Sequence, residues 1–463
     1  MINIICEVSK YIVLLFMVLY TIKCFTIMSC TDEDKKKTKL NIQIFYVFMI
    51  HFICNMVLFL RIQETKILIF YCAQILVAIL YNVIFHSLYK DASRLLTNNI
   101  SFILLIGYTM LTRLDFSLAV KQFALATATL LFTCFIPMIM VKWRQLKNYG
   151  TFYGIAGIIL LMTVFIPHLG FENYGSRNWI KIGSLSIQPM EFVKILFVFF
   201  VASMLVKANT FKDLFGNAII SAGFMGVLVL EKDLGAAVIF YITYVILVYL
   251  ATSRPIYLIG GILLGVFAVL VGYVLFKNSL FRHVMVRVEA WKDPFAFIDT
   301  GGYQVSQSLF AIGTGGYVGS GLLQGSADTI PVSESDFIFS AICEEMGLVF
   351  GLALILVILS IFISMSNIAM KALKPFYKYV TFGFATIYIV QTFLNIGGVI
   401  KFIPSTGVTL PLISYGVSSV TSTLIIFAII QGICVLNNKE AEKNEKESKR
   451  VRNELAAANN QAR

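Results

Sequence analysis

Charge is what this 463-residue chain has least of: Asp, Glu, Lys and Arg make up 13% of it, against 58% hydrophobic residues. Water-soluble domains carry roughly 25% charged residues, so a soluble globular protein of this length would lack the polar surface to cover its core. Intrinsic disorder and collagen-like structure fail on the same balance. Cysteine occurs eight times, without a CxxC or a paired spacing, which excludes a disulfide scaffold. Cys6, Cys24, Cys54, Cys72, Cys134 and Cys434 lie in or beside apolar stretches and read as small buried hydrophobes. The histidines His51, His86, His168 and His283 are too far apart to offer a metal-ligand spacing. The first apolar run lacks the basic leader and small-residue cleavage site of a secretory signal. The net charge of +12 is no nucleic-acid signature, because Lys and Arg are scattered between apolar runs as cytoplasmic loops beside anionic lipid require. What remains is a polytopic membrane protein with no nucleic-acid partner.

A bilayer core takes about 20 apolar residues per helix. Thirteen runs qualify, near 10–28, 41–60, 67–88, 100–114, 118–141, 151–170, 191–206, 214–230, 233–252, 256–276, 337–365, 376–400 and 409–437. They are continuous rather than alternating, which predicts an all-α transmembrane helical bundle and not a β-barrel. An outside N-terminus and an inside C-terminus collect most Lys and Arg on the cytoplasmic side, including Lys35, Lys36, Lys37, Lys39 and the tail from Lys439 onward. That orientation puts the longest predicted non-helical stretch, about 277–336, on the extracytoplasmic face. Loops of that length are usually functional or disordered. This one carries Trp291, Tyr303, Phe310 and the run Gly313-Thr-Gly-Gly-Tyr-Val-Gly-Ser-Gly321. Such glycine density predicts tight turns against a membrane surface or a closely approaching ligand. A nucleotide-binding reading fails, since no strand–helix unit precedes the run and no Gly-Lys-Ser/Thr follows. Residues 438–463 interleave Glu and Lys as a solvated cytoplasmic tail.

Ionisable groups at membrane depth are costly, so each is a functional candidate. Glu191 and Lys194, three residues apart, share one helix face at the start of the seventh span. Asp233 stands between two apolar runs, Asp336 opens the eleventh span, and Glu344 and Glu345 lie two to three turns farther along. Glu191, Asp233 and Asp336 all fall at outward-facing ends, where they would build a polar cavity open to one side. Structural roles fit each of them as well: a neutralised pair for the first, helix N-caps for Asp233 and Asp336. An ion-coupled transporter would show a similar pattern.

An ordered series of motifs narrows this. They are Arg113-Leu-Asp-Phe-Ser-Leu-Ala-Val-Lys-Gln122, Arg177-Asn-Trp-Ile-Lys-Ile-Gly183, Gln188-Pro-Met-Glu-Phe-Val-Lys194 and Asp233-Leu-Gly235. Then come Arg287 with Trp291-Lys-Asp-Pro294, Gly302-Tyr-Gln-Val-Ser-Gln-Ser308 and Ala311-Ile-Gly-Thr-Gly-Gly316. The series ends with Ser335-Asp-Phe-Ile-Phe339, Glu344-Glu-Met-Gly347, Asn395-Ile-Gly397 and Pro404-Ser-Thr-Gly-Val-Thr-Leu-Pro-Leu-Ile-Ser-Tyr-Gly416. Over roughly 100–437 the chain resembles the SEDS family (shape, elongation, division and sporulation), the RodA, FtsW and SpoVE type of peptidoglycan polymerase. The resemblance implies a ten-helix core over 100–437, three additional transmembrane helices within 1–99, and a tail over 438–463. It departs from the family pattern at Met190, at Glu231-Lys232, at Pro331-Val-Ser-Glu-Ser335 and at Val417, positions that bear on substrate fit.

The resemblance implies a glycosyltransferase in the cytoplasmic membrane that polymerises lipid II at its outer face during elongation, division or sporulation. Asp336 would be the catalytic residue, with Glu191 and Lys194 beside it and the lysine approaching the aspartate. Acting as general base, Asp336 would take the proton of the acceptor sugar's 4-hydroxyl as it attacks the donor's anomeric carbon. Lys194, Arg177 or Arg287, with or without a divalent cation (Mg or Mn), would offset charge on the departing undecaprenyl diphosphate. Arg177, Asp233 and Arg287 are the expected donor-side residues. Tyr303, Gln304, Gln307 and Ser308 would meet the sugars. A class B penicillin-binding protein would supply the cross-links. The rival readings are a precursor flippase and a non-catalytic scaffold.

Overall fold

A computed structural model describes residues 2–461 apart from Arg144, Tyr174, Ser184, Asn209 and 277–281. The chain is a helical membrane bundle, as the apolar runs predict. Among the described residues, 12 helices are long and apolar enough to cross a bilayer, and a shorter apolar helical stretch covers Gly150–Phe165. In chain order the leading helices are α1 (Ile2–Met28), α2 (Glu33–Ile62), α3 (Thr65–Leu88) and α4 (Arg94–Leu114). They are followed by α5 (Phe116–Thr133), α6 (Ile136–Lys142) and α7 (Gly150–Met162). After a small sheet come α8 (Pro189–Lys207), α9 (Phe211–Leu230), α10 (Leu234–Thr252) and α11 (Pro255–Phe276). The rest is α12 (Arg282–Lys292), α13 (Tyr303–Gly315), α14 (Ile338–Met346), α15 (Leu348–Met370), α16 (Pro375–Val399) and α17 (Val417–Gln461).

Helix starts follow local chemistry. Asp32, Asp115 and Asp233 cap α2, α5 and α10 by accepting backbone N–H groups, and Thr210 and Asp213 form a capping box on α9. Pro189 and Pro375 sit in the first turns of α8 and α16, where a missing N–H costs nothing. Helices α4, α8, α16 and α17 are largely enclosed by their neighbours, whereas the membrane stretch of α11 is mostly exposed, touching α10 along one side. Helix α17 has 45 residues, about 67 Å at 1.5 Å per residue, so its charged end stands clear of the bundle.

Four features differ from the sequence-based expectation. The apolar run over 337–365, which the sequence predicts as one span, is two helices broken at Gly347, whose φ of 90° suits glycine. The break is supported from outside: Leu348 and Val349 N–H donate to the carbonyls of Gly316 and Tyr317. The last span begins at Val417, not 409, because Pro411 and positive φ at Gly407 and Leu412 keep 404–416 as a non-helical strap. Helix α7 gives way after Phe165 to an unexpected three-stranded antiparallel sheet, β1 (Gly170–Asn173), β2 (Ser176–Ile182) and β3 (Leu185–Ile187). Its turns use Gly175 and Gly183 at positive φ. Finally, the stretch 277–336 is not free of helix. Residues 277–281 lie outside the described residues, but α12 and α13 occupy much of the remainder, α13 burying Val305, Ser308, Ala311 and Gly315 on one face. The glycine run that follows makes room for protein: a Cβ on Gly315 would stand 2.2 Å from the Cys343 carbonyl oxygen, and one on Gly319 2.4 Å from that of Glu345.

Candidate active site

The strap 404–416 runs beside Asp336 and the start of α10. Asn395 of α16 donates to the Val408 carbonyl (2.7 Å) and to the Asp336 carbonyl (2.9 Å). Ser414 Oγ donates to the Ser335 carbonyl (2.5 Å), and Tyr415 N–H to that of Glu334 (2.7 Å). The backbone carbonyls of three consecutive residues ending at Asp336 are thereby held, two residues before α14 begins. On the other flank α10 starts against the strap: a Cβ on Gly235 would fall 3.1 Å from the Thr406 carbonyl oxygen and 2.7 Å from Val408.

Asp336 is partly exposed at this junction. Gly407, at φ +72°, turns its bare α-carbon toward it: a Cβ there would stand 3.7 Å from Asp336 Oδ2 and 3.4 Å from an Arg287 guanidinium nitrogen. Those two distances put the cation within about 7 Å of the carboxylate. Burial pushes the Asp336 carboxyl up to about 6; Arg287 draws it down, Glu334 raises it, and a hydrogen bond from Ser335 lowers it. Arg287 itself is exposed and reaches the Ser405 carbonyl at 3.5 Å.

Glu191 and Lys194 form a buried ion pair of 2.6 Å, their side chains 3% and 1% exposed. Ser422 Oγ donates to Glu191 (2.6 Å) and Lys194 Nζ donates to Gln391 Oε1 (2.8 Å). Gln391 Nε2 in turn donates to the Thr409 carbonyl (3.0 Å). The expected approach of Lys194 to Asp336 is therefore indirect. Among the described residues no ion pair joins them, and the link runs through α16, where Gln391 and Asn395 lie one turn apart and grip neighbouring strap carbonyls. The cation facing Asp336 is Arg287, because Glu191 already neutralises Lys194.

Asp233 serves as the N-cap of α10, accepting from Ala236 N–H (3.0 Å), and also accepts from Asn178 Nδ2 (2.7 Å) and Gln188 Nε2 (3.4 Å). Cap and polar cluster thus coexist in one carboxylate. Glu231, two residues earlier and buried, has its carboxyl pushed up to about 9 by burial and by Asp233. Arg177 lies on β2, its N–H on the Glu231 carbonyl (3.0 Å) and its Nε on the Val164 carbonyl (3.0 Å). Of the α13 residues, Tyr303 and Gln304 are exposed and Gln307 is half-buried. Ser308 is fully buried and tied to Ser340 Oγ (2.6 Å) and the Val399 carbonyl (2.9 Å). Its hydroxyl joins α13 to α14 and α16, so it does not reach a sugar. Trp291 is likewise engaged, its indole N–H on the Lys401 carbonyl at 3.2 Å.

The sequence reading named neither Arg113 as a site residue nor the partners of Glu344 and Glu345. Arg113, at the end of α4, donates to Glu345 Oε1 (2.6 Å), Asp328 Oδ1 (2.6 Å) and the Gly325 carbonyl (3.4 Å), and Glu344 accepts from Ser326 N–H (2.8 Å). The two glutamates anchor the loop that leads to Asp336. Their adjacency and the motif around Arg113 were visible; their pairing across 232 positions was not. Asn178, Gln391 and Asn395 join the site without a sequence signal of their own, although Asn178 and Asn395 stand inside the ordered motifs. Among the described residues there is no group of three or more His, Cys, Asp and Glu that would hold a metal. Buried atoms without a protein partner do gather around the strap and the β2–α10 corner: Thr406 Oγ1, Asn395 Oδ1, Asn178 Oδ1 and Glu231 Oε1.

Comparison with known proteins places these features in context. Residues 94–439 match the family model of the FtsW, RodA and SpoVE cell cycle proteins. The peptidoglycan glycosyltransferase RodA of Mycobacterium tuberculosis (strain ATCC 25618 / H37Rv) is 39% identical over 308 residues, covering 63% of this chain and 64% of the relative. The alignment thus spans a little under two thirds of that relative's length. A probable peptidoglycan glycosyltransferase FtsW of Marinomonas mediterranea is 31% identical over 323 residues, 68% of this chain and 78% of the relative. In fold, the chain is similar to RodA of Thermus thermophilus (TM-score 0.54, 22% identity, 74% of this chain and 96% of that one). It is also similar to a chain of a peptidoglycan synthase complex that coordinates polymerization and crosslinking (TM-score 0.61, 22% identity, 75% and 98%).

Proposed function

Since the chain belongs to the FtsW, RodA and SpoVE family of cell cycle proteins, we propose that it is a peptidoglycan glycosyltransferase that polymerises lipid II. The observation that carries this reading is Asp336. It is a partly exposed carboxylate on an immobilised backbone, raised toward neutrality, faced by an arginine, and set among polar atoms that lack protein partners. A base with a midpoint near 6 is ionised at neutral pH yet basic enough to take a hydroxyl proton late in a loose transition state.

In the proposed reaction, the acceptor's 4-hydroxyl oxygen bonds to the donor's anomeric carbon as the bond from that carbon to the diphosphate breaks. The hydroxyl proton passes to Asp336, and the electron pair leaves with undecaprenyl diphosphate. Arg287, exposed beside Asp336, lies where it can meet the diphosphate. Among the described residues, the terminal nitrogens of Arg177 carry no protein bond and are available to the same group. Asp233 orients Asn178 and Gln188 at the adjoining corner. Tyr303, Gln304 and Gln307 present their side chains on α13 toward the acceptor sugars. The buried Glu191–Lys194 pair holds the floor of the site through Gln391 and Thr409. Magnesium and manganese ions are commonly bound by one or two carboxylates plus substrate phosphates, and Asp336 or Asp233 fits that donor set; such an ion would add positive charge at the leaving group.

The reading also places the loop end of the bundle outside and the α17 tail inside, in accord with the distribution of Lys and Arg. It assigns a class B penicillin-binding protein as transpeptidase partner, supported by the likeness in fold to a chain from a complex of polymerization and crosslinking. The test is polymerisation of labelled lipid II by the purified protein, with and without that partner and a divalent cation. Wild type should yield long glycan strands, and folded Asp336→Asn none. Absence of product from wild type under all conditions would put a scaffold or a flippase in its place.

A further inference from the structure

Helices α1–α3 precede the region that matches the family model, and α1 and α2 meet α4 through buried polar groups. In lipid, apolar contact gives helices little reason to associate, so packing and polar groups decide register. Here a buried polar seam does so. Asn99 of α4 accepts from Tyr20 OH of α1 (2.7 Å) and Gln43 Nε2 of α2 (3.0 Å), and donates to Ser360 Oγ of α15 (3.0 Å). Asn98 donates to Gln43 Oε1 (2.9 Å) and to the Leu40 carbonyl (3.2 Å). Farther along α4, Thr109 Oγ1 meets His51 Nδ1 (3.1 Å) and Asn55 Nδ2 (3.4 Å) of α2. Slipping any of these helices by one residue would strand several polar groups in hydrocarbon.

The same helices meet the catalytic loop. One turn beyond Thr109, Arg113 grips Glu345 and Asp328. At the start of α1, Lys10 pairs with Glu7 (2.5 Å) and reaches the Gly319 carbonyl (3.5 Å). Glu7, Ile4 and Val8 of α1, Arg61 of α2 and Gln324 of the loop line one cleft of about 500 Å³. Residues 320 and 321 are hydrogen-bonded to the carbonyls of Glu344 and Glu345 at the end of α14, and Asp336 lies two residues ahead of that helix. We propose that α1 and α2, keyed to α4, form an intramolecular brace that fixes the 316–337 loop, and through it Asp336, with Lys10, Gln43, Asn99 and Arg113 as positioning residues. The seam sets the register, α4 and α15 carry it to the loop end, and Lys10 and Arg113 clamp the loop itself.

The activity readout rests on the polymerase reading; the structural readout does not. Full-length protein in lipid nanodiscs is to be compared as wild type, Lys10→Gln, Lys10→Arg, Gln43→Leu and, as a lipid-facing control, Leu76→Ala. Amide hydrogen exchange over 316–337 and initial rates of lipid II polymerisation are measured side by side. Lys10→Gln and Gln43→Leu should each speed exchange over 316–337 roughly threefold to tenfold, the loss expected of one charged or buried hydrogen bond. They should lower kcat by a similar factor with little change in KM, while Lys10→Arg restores both and Leu76→Ala changes neither. If Gln43→Leu fails to fold, Lys10→Gln decides alone. Wild-type exchange over 316–337 in the folded variants would overturn the brace, as would a rate loss without faster exchange. A wild type that makes no glycan would instead refute the polymerase reading and leave the exchange comparison standing.

Discussion

Replacing Lys194 with methionine should destabilise this protein far more than replacing both members of its ion pair. Glu191 is 3% exposed, and two contacts answer its charge: Lys194 Nζ and Ser422 Oγ, each at 2.6 Å. Lys194→Met removes the one cation paired with it among the described residues and leaves a buried carboxylate with one hydroxyl, for an expected cost of about 3–5 kcal/mol. It also strips Gln391 Oε1 of its donor, although Gln391 Nε2 keeps its bond to the Thr409 carbonyl. In the double variant E191Q/K194M no charge remains, and the Ser422 hydroxyl still has an oxygen to donate to. That variant should lie within roughly 1.5 kcal/mol of wild type, since well-packed neutral groups often substitute for a buried pair with little loss. The coupling energy from the full cycle should therefore be about 2 kcal/mol or more, with the double variant more stable than K194M. Denaturant unfolding of all four proteins in one detergent measures it. Additive losses, or a single-variant cost below about 1 kcal/mol, would refute the claim that the pair is a closed electrostatic unit.

Other outcomes follow from the geometry around Asp336. With Asp336 as the proposed base, the acid limb of kcat/KM should fall below about pH 6; Arg287→Gln removes a cation that favours the carboxylate, so a pH–rate profile should show that limb moved toward neutrality. Because the folded state holds this proton more tightly than an unfolded Asp of pKa near 3.9, the carboxyl destabilises the fold as pH rises through 6. Asp336→Asn should therefore be more stable than wild type at pH 8, by up to about 3 kcal/mol in unfolding experiments, with the gap closing toward pH 4. Gly407→Ala forces a side chain into φ +72° and against Arg287 and Asp336; a loss of about 1–2 kcal/mol in unfolding experiments should come with a lower polymerisation rate. Arg113→Met leaves Glu345, whose side chain is 0% exposed, without its cation. The expected loss of roughly 3–5 kcal/mol would be checked by thermal unfolding, and Arg113→Lys should recover only part of it because a lysine cannot bridge both carboxylates as a fork.

Most of the bundle is readable from sequence because lipid demands long unbroken apolar runs, and those runs locate helices regardless of what packs against them. Reading fails where one run holds two elements. Between Phe339 and Leu348 every position but the glutamates and Ser340 is apolar or glycine, so nothing local marks the break at Gly347. The break exists because carbonyls of Gly316 and Tyr317 receive the freed N–H groups, a fact of tertiary structure. The strap is a different case. Pro404, Gly407, Pro411 and Gly416 are strong local breakers, and the apolar residues between them concealed that signal.

The site shows the same division. Asp336, Asp233, Glu191 and Lys194 stand out because charges at membrane depth are rare, and two of them share a helix face at a spacing that pairs them unaided. What sequence spacing cannot carry is which neutral groups connect those charges. Asn395 holds the backbone at Asp336 from 59 positions away, and Gln391 takes up Lys194 from 197 positions away. Both belong to an enclosed helix where polar side chains resemble ordinary interhelical bonding. Their spacing of four places them on one face of α16, gripping the carbonyls of Val408 and Thr409. A shift of that face therefore moves the buried pair and Asp336 together. Lys194 then need not touch Asp336 to matter: its effect on the aspartate passes through the register of one helix against one strap, and a variant at Gln391 should reproduce it without altering any charge.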